Sequence, residues 1–437
     1  MLLLAIWADQ LTIAAPTSVP RYVFAHYMVC CPRDGLAASP AAYEREISDA
    51  SRLGIDGFAL NIGSWKKEDK YIRVPLQLFE AAKIDGRGFK LFFSFDGLGV
   101  EESAEILKRF YGHPNYLKVD GKAVVSSYGG DPAWGTRLRS ELGAAQIEIL
   151  LIPFYYYAHQ NPLAKVEPWG SDFYVAKRAL SDADDIDGYF YFGAAGRDPE
   201  LSQRLHAIGL LVKRQQRICM LGVSPFYKGF GPQNSRVFES HGFESMQAQW
   251  MAAINANADW VELVTWNDWG EATYLAPFGA PRDQSLWNGH WGKLLAHDKF
   301  LEASAYYIEW FKRSSAPTIE VDRLFYFYRV HPKSALGVVV PSDGRLGRPS
   351  GADDLDDAIY VTAYLKQPAE LNISAGGVQR IFHLQSGVAN VRVPIQFGST
   401  SISLVRDGEL IGSKQLEFDI TYDGTRGNFN YFAGSLP

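Results

Sequence analysis

The chain has 437 residues, enough for about two or three ordinary domains or for a barrel of roughly 250 residues with a second unit. Its 43 Lys and Arg against 49 Asp and Glu leave a net charge of −6, too weak a bias over this length to imply nucleic acid or an anionic membrane as a partner. Cys30 and Cys31 are adjacent and Cys219 is distant, which excludes a disulfide scaffold and fits no zinc spacing; these thiols are read as small buried hydrophobes.

From the N-terminus, Met1 to Ala8 is apolar but has no basic residues before it, and Asp9 ends the run. That is an unconvincing signal peptide as it stands, and residues 1–20 are read as an N-terminal extension or as the tail of a signal peptide that starts upstream. No apolar run is long enough to span a membrane. Eight β-like runs then follow: Tyr22–Val29, Gly57–Gly63, Lys90–Asp96, Ala123–Tyr128, Glu148–Tyr155, Gly188–Phe192, Ile218–Pro225 and Trp260–Asp268. They are rich in β-branched and aromatic residues and mostly lack strict alternation, as strands buried on both faces do. Amphipathic stretches such as Ala41–Leu53, Glu101–Tyr111, Pro199–Lys213 and Phe243–Ala256 separate them. Eight strands alternating with helices predict an α/β fold, a (β/α)8 TIM barrel over residues 21–315. An open doubly wound sheet is less favoured, because no Gly-x-Gly-x-x-Gly follows the first run.

A Gly/Pro-rich loop from Ala276 to Gly289 leads to a predicted helix at Leu294–Phe311. Beyond it the texture changes. Short alternating segments (Leu324–Val330, Ala358–Leu365, Gln379–Leu384, Asn390–Pro394, Ser401–Arg406 and Gln415–Thr421) are broken by Gly, Pro, Asp or Ser, which predicts an all-β sandwich over 316–437. The link around Ser314–Thr318 is short and is not a Gly/Ser linker, so this region should pack on the barrel.

The C-terminal ends of barrel strands converge on one mouth, where active sites sit. Here those ends carry His26, Asn61, Asp96, Ser127, Tyr128, Tyr155, Tyr156, Ser224 and Asp268. There is no His-Glu-x-x-His, P-loop or Gly-x-Ser-x-Gly; Gly222-Val223-Ser224-Pro225-Phe226 lacks the closing glycine. The acidic run Asp182 to Gly188 has its glycine one place late for a calcium loop and Gly193 where the closing glutamate belongs, so it reads as a solvated turn.

The segment Val264-Thr265-Trp266-Asn267-Asp268-Trp269-Gly270-Glu271 stands apart. It places two carboxylates three residues apart at the end of the eighth run. Three extended residues span at most about 10 Å, so both carboxyls can flank one bond. Glycoside hydrolysis needs one carboxylic acid to protonate the leaving oxygen and one carboxylate to activate water or attack carbon. On this reading Trp266 and Trp269 exclude water and raise one carboxyl pKa, and Asn267 holds a sugar hydroxyl. The 11 Trp, 23 Tyr and 26 Phe supply flat faces on which sugar rings can stack.

This segment, together with Val23–Val29, Gly54–Gly63, Phe89–Asp96, Val125–Gly130, Met220–Pro225 and Tyr328–Lys333 in order, resembles glycoside hydrolase family 71, the α-1,3-glucanases also called mutanases. The resemblance runs from about residue 21 to the end of the chain. It implies a (β/α)8 barrel with a β-sandwich, endo-acting and inverting cleavage of α-1,3-glucan, and neither metal nor cofactor. Its two catalytic carboxylates fall on Asp268 and Glu271, with Glu271 as acid and Asp268 as base by analogy with related barrels. The chain departs from the family pattern at Tyr189–Gly196, at Phe226-Tyr227-Lys228 and at Glu239–Gly242. Substrate contacts are expected from His26, Asn61, Asp96, Tyr128, Tyr155, Trp266, Asn267 and Trp269. The expected partner is a polysaccharide or oligosaccharide α-glucan, met outside the cytoplasm by a monomer, with no nucleic acid or membrane. Competing readings are an endo-α-mannosidase-like glycosidase and a non-catalytic carbohydrate-binding barrel. An aspartate at position 268 weighs against the first, and the presence of both carboxylates against the second.

Overall fold

A computed structural model describes residues 19–155, 170–182, 185–231, 234–278, 286–340 and 344–436. Most of the expected N-terminal extension, Tyr156, residues 183–184 of the acidic run and residues 279–285 of the Gly/Pro-rich loop lie outside the described residues.

Strand and helix alternate through β1 (Tyr22–Met28), α1 (Pro40–Arg52), β2 (Gly57–Ile62), α2 (Lys70–Asp85), β3 (Lys90–Asp96), α3 (Val100–Phe110), β4 (Lys118–Val119), β5 (Lys122–Tyr128), α4 (Pro132–Gly143), β6 (Ile149–Phe154) and α5 (Gly170–Asp182). The pattern continues with β7 (Gly188–Tyr191), α6 (Glu200–Arg214), β8 (Ile218–Val223), α7 (Glu244–Asn255), β9 (Trp260–Leu263), α8 (Asn288–Trp291) and α9 (Asp298–Arg313). β1 pairs in parallel with both β2 and β9; the ladder runs on through β3, β5 and β6 on one side and through β8 and β7 on the other. The result is a curled sheet of eight parallel strands. At the gap between β6 and β7, Asp187 joins the two edges: its N–H donates to Leu151 O (2.9 Å), and its Oδ2 accepts from Leu151 N (2.8 Å). β4 is an antiparallel addition to β5, turned through Asp120-Gly121 with φ of 50° and 81°, the two-residue hairpin turn that Asp-Gly favours.

Every described residue of β2 and β6 is buried, which explains why these strands read as continuous apolar runs rather than alternating ones. Helices cover the outside. α3 shows how: Ser103, Ala104, Ile106, Leu107 and Phe110 form its buried face, while Glu101 and Glu102 open it and Lys108 and Arg109 close it, in accord with the helix dipole. No helix of the described residues is long and apolar enough to cross a membrane.

The remaining strands are β10 (Arg323–Tyr328), β11 (Gly337–Val340), β12 (Arg345–Gly347), β13 (Ala358–Leu365), β14 (Ala369–Ala375), β15 (Val378–Leu384), β16 (Gly387–Pro394), β17 (Thr400–Arg406), β18 (Glu409–Gln415) and β19 (Phe432–Leu436). They form two four-stranded antiparallel sheets, β16-β13-β10-β19 and β15-β14-β17-β18, and the pair β11-β12. β10 serves two cores by its period of two. Leu324, Tyr326 and Tyr328 pack with Leu371, Ile373, Ile402 and Leu404 of the other sheet, whereas Phe325 and Phe327 pack into the core of the curled sheet and its helices.

Two expectations need correcting. The eighth strand stops at Leu263 rather than Asp268, because from Thr265 the chain pairs with its own later residues: Thr265 N donates to Thr273 O and Leu275 N to Thr265 O, both at 3.0 Å. The segment Gln415–Thr421 is not a strand. The strand is β18, reached from β17 through an Asp407-Gly408 turn with positive φ at both residues. The buried Leu416 and Ile420 instead belong to loop closing the β core.

Candidate active site

The segment after β9 is held by hydrogen bonds at nearly every residue. Trp266 N donates to His26 O at 2.7 Å, Asp268 N to Thr265 Oγ1 at 2.8 Å, and Glu271 N to Asp268 Oδ1 at 3.0 Å. Asp268 and Glu271 are thus joined in one tight loop, each partly open to solvent, at the C-terminal edge of the parallel strands. Asn267 is buried with its amide fully engaged on the turn after β1: Nδ2 donates to Met28 O and Cys31 O, and Oδ1 accepts from Met28 N. Trp266 is buried against Phe58, its indole N–H donating to Glu46 Oε1 at 2.7 Å. Trp269 is buried too, donating to Cys31 O at 2.9 Å and packing on Tyr274.

These three residues therefore position the carboxylate loop rather than contact a sugar, which corrects the expectation placed on them. Tyr155 is likewise buried on the helix side of β6. Its hydroxyl packs so closely on Gly135 of α4 that a Cβ there would lie 2.4 Å away, so it too is removed from the expected sugar contacts.

Four other expected residues do gather at this edge. His26 points into the sheet, its Nδ1 2.5 Å from Glu262 Oε1, and its ring meets Phe192 edge-on. Tyr128 packs against the same Phe192 and against Phe154. Asn61 Nδ2 donates to Asp96 Oδ2 at 3.4 Å, across the ends of β2 and β3. A cavity of about 240 Å³ opens beside Glu271, walled by Tyr128, Phe154, Tyr191, Phe192 and Tyr227.

Glu271 Oε1 accepts from the Tyr227 hydroxyl at 2.7 Å and from Asn234 Nδ2 at 3.4 Å, with Arg236 over the Tyr227 ring. Tyr227, Asn234 and Arg236 were not foreseen from the sequence. The signal available for Tyr227 was its place just past the end of β8, within a stretch that departs from the family pattern. Asp172, whose Oδ2 accepts from the Tyr191 hydroxyl at 2.8 Å, also reaches the cavity and carried no signal, because α5 itself was not predicted.

The surroundings of Asp268 shift its carboxyl. Burial first, then the charge of Glu271 and the thiol of Cys30, push Asp268 well above the ordinary aspartate range; the N–H groups of Glu271 and Gly270 offset only part of this. Glu46, buried beside Arg33, is raised to about 7 by desolvation despite the bonds from Trp266 and Tyr27. Glu262, buried beside His26, is also raised by desolvation.

A parallel sheet that presents two carboxyls on one loop beside an aromatic-walled cavity fits a glycoside hydrolase. The model of glycosyl hydrolase family 71 matches residues 19–437, and the chain belongs to that family. Among curated relatives, a mutanase of Penicillium rubens is 28% identical over 96% of this chain and 89% of its own length. A glucan endo-1,3-alpha-glucosidase of Schizosaccharomyces pombe is 28% identical over 96% of both chains, and an ascus wall endo-1,3-alpha-glucanase of the same yeast is 24% identical over 90% of this chain and 88% of its own. Among solved structures, a GH99 endo-alpha-mannosidase from Bacteroides thetaiotaomicron aligns with a TM-score of 0.48 at 16% identity, covering 68% of this chain and 99% of that one.

Proposed function

We propose that this enzyme cleaves α-1,3-glucosidic bonds within α-1,3-glucan, with Asp268 and Glu271 as its acid–base pair. The observation that carries the reading is the loop joining the two carboxyls at the edge of the cavity, in a family 71 chain. The curled sheet is read as a closed (β/α)8 barrel over 21–315, preceded by an extension at 1–20, with residues 316–437 as a β-sandwich. Endo action, inversion of the anomeric carbon, a monomeric state and a location outside the cytoplasm, where a wall glucan would be met, belong to the same reading.

Glu271, which lines the cavity, protonates the leaving oxygen, and Asp268 takes the proton of the attacking water. One feature favours the exchanged roles: burial raises the Asp268 carboxyl above the ordinary aspartate range, as a proton donor requires. The two orders separate on a substrate with a good leaving group, which needs little protonation. Recovery of Glu271→Gln on it supports the first order, and recovery of Asp268→Asn the second. His26, Asn61, Asp96 and Tyr128 are the remaining candidates for sugar contacts.

The test of substrate is reducing-end release from insoluble α-1,3-glucan beside α-1,4-glucan, β-1,3-glucan and α-mannan. Release from α-1,3-glucan alone supports the reading; release only from α-mannan would replace it with the mannosidase alternative.

A further inference from the structure

Residues 227–230 lie alongside the carboxylate loop, with Lys228 N donating to Glu271 O (3.0 Å) and Phe230 N to Gly270 O (2.9 Å). Their side chains divide between two cavities. Tyr227 faces the one beside Glu271, whereas Lys228 and Phe230 line a second, of about 620 Å³. Its far wall comes from the C-terminal β region, through Val330, Val338, Phe418 and Asn428. Trp291 stands between this cavity and the carboxyls: a Cβ at Gly270 would lie 3.4 Å from both the Trp291 ring and Asp268 Oδ1.

We propose that this second cavity binds further glucosyl units of the same glucan chain, so that the C-terminal β region forms part of the substrate groove. The inference rests on the α-1,3-glucan reading above and extends it to a site on the opposite side of the carboxylate loop. Three features support it. An endo-acting enzyme must hold sugar on both sides of the broken bond, and the second cavity offers room for it beyond the cavity beside Glu271. The half-buried rings of Trp291 and Phe418, with Phe230 behind them, offer the flat apolar faces on which sugars stack. The third is Lys228: it is buried, its ammonium nitrogen sits 3.0 Å from the Phe230 ring centre, and among the described residues it is paired with no acceptor or carboxylate. Burial drives its pKa well below the ordinary lysine range. A buried amine with no carboxylate partner has its N–H donors left for the hydroxyl groups of a polyol.

The experiment uses full-length protein carrying Asp268→Asn to stop turnover, and calorimetric titration with linear α-1,3-linked disaccharide and hexasaccharide. Phe418→Ala removes one platform. Because Phe418 also packs on Phe432, a second variant, Val338→Trp, fills the cavity from an exposed position and spares the core. Each is expected to weaken hexasaccharide binding by roughly tenfold or more while changing disaccharide binding less than about twofold. Unchanged hexasaccharide affinity in Val338→Trp, or equal losses for both sugars, overturns the inference. If the parent binds only an α-1,4- or β-1,3-linked hexasaccharide, the linkage reading fails instead. The same two variants then test the cavity with the sugar that binds.

Discussion

Asp268 bears a folding cost that asparagine would not. Its carboxyl is raised in the folded protein, so the folded state binds a proton more tightly than the unfolded chain does. Below the ordinary aspartate range both states are protonated and no cost arises. As pH rises towards the folded value the cost grows, and above that value it is complete. Asp268→Asn should therefore raise the melting temperature near neutral pH, with the gain shrinking as pH falls towards the ordinary aspartate value of about 4 and absent below it. A variant less stable than the parent at neutral pH would show that the carboxyl is not the strained group described here. Trp269 makes a contrary case. Read from sequence it is a sugar platform whose loss spares stability; buried on Tyr274 and bonded to Cys31 O, it should cost about 3–5 kcal/mol when changed to Ala, measured by denaturant unfolding. The residue types of this segment were legible because its two carboxylates, a common pairing by themselves, stand beside tryptophans at the end of the eighth run. The directions of their side chains were not. A tryptophan offers the same flat face to a sugar or to a core, and only the packing partner decides between them.

At the scale of elements, the loop between β8 and α7 performs two tasks. Its first part supplies Tyr227 to Glu271, and its later part supplies Glu239, buried and bonded to Arg329, the Tyr431 hydroxyl and Asp356 N of the C-terminal region. Against the cost of burial, the Arg329 charge and these hydrogen bonds lower Glu239 to about 2. The sign is opposite to that at Asp268: the stabilisation is full above the ordinary glutamate range and is lost as pH falls from about 4.5 towards 2. Glu239→Ala, which leaves Arg329 buried and unpaired, should cost about 3–5 kcal/mol at neutral pH. Melting curves should converge with the parent's at the acid end of that window; a constant difference would assign the effect to packing. Most parallel strands were visible in the sequence, since double-sided burial writes continuous apolar runs. Among the described residues four helices were not singled out, the short α8 at the end of the Gly/Pro-rich loop and three longer ones. α2 carries Pro75 inside it, α4 begins in the turn-like Asp131-Pro132 and has Gly135 within it, and α5 follows residues with no clear periodicity. β18 was misplaced because its residues are largely exposed, while the apolar alternation lies just beyond it in a loop.

Across the whole molecule, the C-terminal region shares the core of the parallel sheet rather than hanging from it. Phe325, Phe327, Tyr360, Tyr364 and Tyr431 pack with the helices α7 and α9, and His297, buried and lowered to about 4 by desolvation, meets Asn430 Oδ1 and Tyr431 O through Nε2. Truncation after Ser315 should then expose this apolar face and give insoluble or unstable protein. A soluble, active product would mean that the region is detachable. The change of texture near residue 324 made the β region legible, but its share in the main core was hidden. Both faces of β10 are apolar, so alternation could not show that two different cores lie on either side. The central claim, that Asp268 and Glu271 together perform glycoside hydrolysis, is tested most directly by the turnover of Asp268→Asn and Glu271→Gln on α-1,3-glucan, with circular dichroism to show that each variant is folded. Each neutral amide should cut turnover by at least about 10²-fold with the fold intact. Near-normal turnover in either folded variant would contradict the claim and remove that carboxyl from the chemistry.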